Sequence, residues 1–208
     1  MKARQFIMGA ALVVTTAAIT SQVVSQNAGK DQPPQMSPEE AAMMQKWEEF
    51  MTPNENHKRL EFKVGKWNGT IKMWMDPASP EPTVSTGTTE YKWIMDGRYL
   101  VDDTKSEFMG QPFVGHAISG YDNLKKKYIW LWIDNMGTGF MVGEGSYDTA
   151  SKTFTYTYEH PDLMAGKYNK GRSTERMIDK DNWVSEMYGP GPDGKEHKMM
   201  EITYTRAK

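Results

Sequence analysis

At 208 residues the chain has the length of one domain, or at most two. With 38% hydrophobic and 25% charged residues it can form a packed core, so global disorder is excluded. A formal net charge of -2 lacks the basic excess of a non-specific nucleic-acid binder. The absence of cysteine excludes disulfides, thiolate zinc sites, cysteine nucleophiles and an acylated N-terminal cysteine. The 7 Trp and 10 Tyr suit a β-rich core or an aromatic-lined cavity.

Residues 1–25 read as a secretory signal peptide. Lys2 and Arg4 form a basic start, and Phe6 to Ile19 is an Ala-rich apolar run too short to span a membrane. Cleavage is expected in the range 18–26, with Ala18 and Ser25 as candidate positions. A cut after Ser25 lowers 25 basic residues to 23 against 27 acids, so the net charge falls from -2 to -4. The expected mature chain is exported, periplasmic or extracellular, with no stable membrane span. Residues 26–36 lack apolar periodicity and read as a flexible tether.

Ser37-Pro38-Glu39-Glu40 has the grammar of a helix start: a capping hydroxyl, proline at the first position and a glutamate to close a capping box. Met43, Met44, Trp47, Phe50 and Met51 then share one face, until Pro53 stops the helix. Thr52-Pro53-Asn54-Glu55 repeats the start signal, and a second short helix is expected to run to about Phe62, docked by Leu60 and Val64. The pair, residues 37–64, is read as a helical cap on the domain that follows. The polar face is not basic, which argues against a membrane-surface role.

From Lys66 the apolar period changes to two. Trp67, Gly69, Ile71, Met73 and Met75 alternate with Asn68, Thr70, Lys72 and Trp74. Nine turn signals follow, from Asp76-Pro77 through Asp96-Gly97, Asp122-Asn123 and Pro161–Asn169 to Gly189–Gly194, and divide the remainder into ten strands. Too little chain lies between them for helical crossovers, so the strands must run antiparallel. Tyr121-Asp122 to Lys126 and Tyr147-Asp148 to Lys152 carry the same hairpin pattern. An open ten-stranded meander would expose two edges. The fold expected for residues 65–206 is therefore a single antiparallel up-and-down β-barrel of about ten strands. Strand five is apolar on both faces: Tyr128, Trp130 and Trp132 point one way, and Ile129, Leu131 and Ile133 the other. The bulkier aromatic face is assigned to the interior, with Asp134 at its end. The aliphatic face then needs cover from the N-terminal helices or from a second copy of the chain in a homodimer.

Five blocks carry a family resemblance. They are Trp67-Asn68-Gly69-Thr70-Ile71-Lys72-Met73-Trp74, Met95-Asp96-Gly97-Arg98-Tyr99-Leu100, Gly110 to Gly115 leading into Gly120-Tyr121-Asp122-Asn123, Trp132 to Gly139 with Glu144-Gly145-Ser146-Tyr147-Asp148, and Met200 to Arg206. Together they resemble the bacterial domain-of-unknown-function 1579 family over about residues 37–206. The resemblance implies a lipocalin-like or calycin-like barrel and implies no activity or catalytic residue.

The residues themselves offer several candidates. Asp134, Asn135 and Thr138 either rim the barrel mouth or bond their own Gly-rich hairpin, and the hairpin is the favoured reading. Of the four histidines, none is spaced as a metal pair. His116 lies mid-strand, where an inward side chain could ligate haem or face a carboxylate; a structural role is favoured. His57 sits on the second helix, while His160 and His197 read as exposed. Strand carboxylates include Glu90, Asp102, Asp103, Glu144, Glu159, Glu175, Glu186 and Glu201. Glu90, Glu144, Arg98, Arg176 and Glu201 are read as a polar network inside the barrel, or as solvent-exposed, ahead of catalysis. Seventeen methionines, with Met43-Met44, Met73/Met75 and Met199-Met200, raise thioether ligation of copper(I), although methionine also fills irregular cores. No nucleophile elbow, P-loop, dinucleotide fingerprint or His-Glu-x-x-His motif is present. The expected function is binding of a small, largely apolar ligand in the barrel, with no cofactor assigned and no recognised enzyme class. Trp130, Trp132, Asp134, His116, Glu144, Arg98 and Glu90 form the expected lining. An enzyme using a buried carboxylate or histidine is the rival.

Overall fold

Ten strands close into one antiparallel barrel in the computed structural model, which describes residues 36–75, 81–191 and 193–208. The signal peptide and nearly all of the tether lie outside the described residues. Residues 40–208 form one compact unit. The strands are β1 (Gly65–Met73), β2 (Thr83–Ile94), β3 (Tyr99–Phe108), β4 (Gln111–Asp122), β5 (Lys127–Asp134), β6 (Met141–Asp148), β7 (Thr153–Asp162), β8 (Lys167–Asp179), β9 (Asn182–Pro190) and β10 (Glu196–Arg206). Each pairs with its neighbour in sequence, and β10 returns to β1 in a register that sets Trp67 opposite Arg206 and Met73 opposite Met200. Pro161 does not end β7, as its turn signal suggested. It sits opposite Tyr168 with its side chain exposed, and the turn begins after Asp162.

The hairpins form where aspartate can bond its own turn. Asp122 Oδ1 accepts from Leu124 N and Lys125 N, and Asp148 accepts from Ala150 N and Ser151 N. Four residues after each aspartate, Lys126 and Lys152 take φ of 55° and 53°. The sequence likeness between these segments is thus one turn geometry used twice.

The first helix, α1 (Pro38–Met51), matches the sequence boundaries. The second differs. Asn54, rather than Thr52, caps α2 (Glu55–Lys58), its side chain accepting from Asn56 N, and His57 Nδ1 accepts from Asn54 N to complete the box. A single 3₁₀ turn, Glu61–Lys63, then leads into β1. Leu60 is fully buried, as expected of a docking residue. α1 does not cover the barrel's outer apolar face: it buries no residue, and Trp47 and Phe50 are 53% and 48% exposed. Hydrogen bonds hold its end instead. The buried Asn123 amide donates to the carbonyls of Glu49, Phe50 and Thr52, and its oxygen accepts from Asn54 Nδ2. The row Ile118, Leu131 and Val142, in register across β4, β5 and β6, stays open outside, with Ile118 and Val142 each 46% exposed.

The core fills the end of the barrel nearest α2. Leu60, Trp67, Leu100, Phe154 and Trp183 are all within 1% of complete burial. Trp183 stacks on Tyr204 with centroids 3.8 Å apart and meets Trp67, Phe62 and Tyr91 edge-on.

Candidate functional site: the barrel lumen

Strand alternation sorts the side chains into lumen and outer wall. On β5 the lumen face is Tyr128, Trp130 and Trp132. Tyr128 is buried against Phe154, and Trp130 packs on Tyr156 and Tyr158. Ile133, on the other face, is exposed. Glycines make room for the indoles. A Cβ on Gly143, directly across from Trp130, would lie 2.4 Å from its Nε1, and one on Gly115 would lie 2.2 Å from the Trp132 ring. Trp132 leans towards the barrel end remote from the helices, where its Nε1 donates to Asp134 Oδ2 at 2.8 Å. Asp134 Oδ1 accepts from Met136 N, and Asn135 bonds Val114 N and Pro112 O. Both polar residues are thus spent on the hairpin and the indole.

The other expected lining residues lie elsewhere. His116 is on the outer wall, half exposed, with Nδ1 2.7 Å from Asp103 Oδ1. Its register neighbours Asp103 and Ile133 share that outer face. Glu144 also faces outward and binds Lys125 Nζ at 2.7 Å, because Gly143 and Gly145 hold the inward positions of β6. Glu90 pairs with Lys92 outside, while Thr89 and Tyr91 point in. Arg98 lies in the β2–β3 turn, where Nη1 donates to Met95 O. Arg176 is exposed. Glu201 joins Glu186 around Lys198 on the outer wall, with Lys198 Nζ 2.7 Å from Glu201 Oε2. A polar network exists, but it lies outside and has different members from the one expected.

Inside, the charged groups are Lys63, Glu175 and Asp102. Lys63 is swung in by the 3₁₀ turn. Its Nζ lies 2.6 Å from Glu175 Oε2, with the lysine side chain 3% exposed, and sits 5.0 Å from the Trp183 ring centre. Tyr156 lies close to Glu175, and Tyr91 to Tyr204. Burial raises all three phenols, and the nearby Glu175 charge adds to the effect. Asp102, directly opposite Tyr91, accepts from Ala117 N at 3.1 Å. Burial pushes its carboxyl up to about 6, against the backbone bond and the Lys63 charge. Sequence reasoning noticed Asp102 and Glu175 but preferred other carboxylates. Parity with buried Leu100 marks Asp102 as inward, whereas Lys63 alternates with exposed Glu61 between apolar residues and carries no such mark.

Towards the remote end the lumen holds two buried polar atoms without partners, Tyr158 Oη and His160 Nε2. His160, read from sequence as exposed, faces inward on β7 two residues beyond Tyr158, the rings 5.9 Å apart. Burial raises the Tyr158 phenol to about 12. Beside them, where β1 ends and β10 begins, a cavity of about 540 Å³ is lined by Trp74, Met75, His197 and Met199, with Lys72 and Lys198 at its outer side. No described helix is long and apolar enough to cross a membrane.

A family model described as "Protein of unknown function (DUF1579)" matches residues 52–206. No curated protein sequence matches the chain. Among solved structures, Rv2717c from M. tuberculosis is similar at 11% identity and a TM-score of 0.53, over 76% of this chain and all of that one. A redesigned β-barrel matches 72% of this chain and 96% of its own at 12% identity, with a TM-score of 0.37. The Rv2717c likeness supports the barrel fold alone.

Proposed function

Starting from the chain's membership of the DUF1579 family, a barrel domain without an assigned activity, we propose that it is an exported carrier binding a small, largely apolar molecule in the lumen half remote from the helices. The observation that carries this reading is Tyr158 Oη, buried and unpartnered beside Trp130. A buried hydroxyl without a partner costs about 1–3 kcal/mol, and a ligand polar group would offset that cost. Trp130 and Trp132 would supply the apolar contact. The opposite half is already filled by Trp67, Phe154 and Trp183. Native mass spectrometry of the purified protein, followed by titration with the fluorescent apolar probe anilinonaphthalene sulfonate, tests the reading. A co-purified small molecule, or probe binding weakened at least about tenfold by Trp130→Ala, supports it. Probe binding indifferent to Trp130 and Tyr158, with no bound species, overturns it. Export rests on the apolar run Phe6–Ile19, and the intact mass of secreted material should place the cut within 18–26.

A second reading, a homo-oligomer, is favoured by the open row Ile118, Leu131 and Val142. A monomer mass in solution at 100 μM would exclude it.

A further inference from the structure

Strand register brings together sulfurs that are scattered in the sequence. Met73, Met200 and Met187 stand directly opposite one another on β1, β10 and β9. All three are on the lumen face, by parity with Ile71, Ile202 and Trp183. Directly opposed residues have Cβ atoms about 4.5–5.5 Å apart, within reach of flexible thioethers. A bulge in β10 between Lys198 and Met200 adds one residue, Met199. Its sulfur lies over Gly189, as does the His160 ring: a Cβ on Gly189 would sit 2.7 Å from Met199 Sδ and 3.1 Å from His160 Nε2. That imidazole nitrogen is buried and has no partner.

From this arrangement we infer a copper(I) site formed by His160 Nε2 and Met199 Sδ, with Met187, Met200 and Met73 as the adjoining thioether row. Thioether and imidazole donors suit a soft monovalent ion. Among the described residues no three His, Cys, Asp or Glu side chains come together as a metal site, so a hard or borderline dication lacks a comparable cage. Lys198, the nearest cation in sequence, is held away on the outer wall by Glu186 and Glu201. Methionine used only as filler would explain the row but not the unpartnered nitrogen facing it. The inference uses different residues from the carrier reading and stands or falls separately.

The test is anaerobic competition for copper(I) between the purified protein and bicinchoninate. One equivalent should be withdrawn from the chelator, and X-ray absorption should show both nitrogen and sulfur neighbours. Met199→Leu combined with Met187→Leu conserves volume and should weaken binding at least about tenfold, with the sulfur signal reduced. His160→Gln should remove the nitrogen component; circular dichroism confirms that each variant is folded. Failure to withdraw copper(I), or equal affinity in the folded double Met→Leu variant, overturns the inference.

Discussion

Asp102 gives the protein an unusual pH dependence. Its carboxyl titrates near 6 in the folded barrel and near 3.8 when the chain is unfolded. The folded state therefore binds the proton more tightly, and the resulting stability is complete below about 3.8 and lost as pH rises through 6. A shift of this size corresponds to about 3 kcal/mol at most. Asp102→Asn should raise the urea midpoint at pH 7.5 and change it little at pH 4; the reverse ordering would mean that the anion is the favoured form. His57 acts in the opposite sense. Burial lowers its pKa, partly offset by a bond to the Tyr121 backbone, so its contribution fades as pH falls below the ordinary histidine value. His57→Gln should flatten that acid limb in the same urea series. Neither effect could be read from residue type. Period-two alternation placed Trp130, Trp132 and Asp134 on the lumen side, because one aromatic run sets its own parity. It misplaced Glu90, Glu144 and His116 because their strands carry small residues, Thr89, Gly143 and Gly115, at the inward positions, and small residues give weak polarity contrast.

Strands and helices here depend on contacts made by single side chains. Asn123 alone satisfies three carbonyls at the end of α1, a helix that buries nothing of its own. Asn123→Ala should cost about 1–3 kcal/mol by removing the hydrogen bonds of a buried amide to the end of α1. It should also raise amide exchange throughout α1 while β4 and β5 remain protected; unchanged exchange in α1 would show that the helix is held by something else. On β6, Gly143→Ala drives a methyl group into the Trp130 ring. The expected penalty is about 1–3 kcal/mol, with a shifted tryptophan emission maximum. The helix start at Ser37-Pro38 and turns such as Asp96-Gly97 and Asp122-Asn123 were legible because capping and turn chemistry is local, while the Asp76-Pro77 signal lies outside the described residues. The exposure of α1 was not, because an apolar stripe records a preference for burial and says nothing about whether a partner surface is within reach.

For the whole molecule, the property that matters is closure, and antiparallel order was legible from the absence of crossovers. Strand content should dominate the far-ultraviolet circular dichroism, with helix well under about a third. β10 is fastened by more than its ladder. Arg206 lies over the Trp67 ring with 4.1 Å between the guanidinium carbon and the ring centre, and donates to the carbonyls of Val64 and Phe62, while Tyr204 stacks on Trp183. Ending the chain at Thr203 removes all of these contacts, and the product should aggregate or elute as a mixture of sizes rather than as a compact monomer. The same closure dictates an order of events during folding. Nine of the ten strand pairings join neighbours in sequence, whereas Trp67 must wait for Arg206, with nearly the whole domain in between. Local hairpins can therefore form early, but the loop entropy of the last seam is recovered only when β10 reaches β1. Until that seam closes, β1 keeps one bare edge, so a partly folded chain is the form most exposed to mispairing.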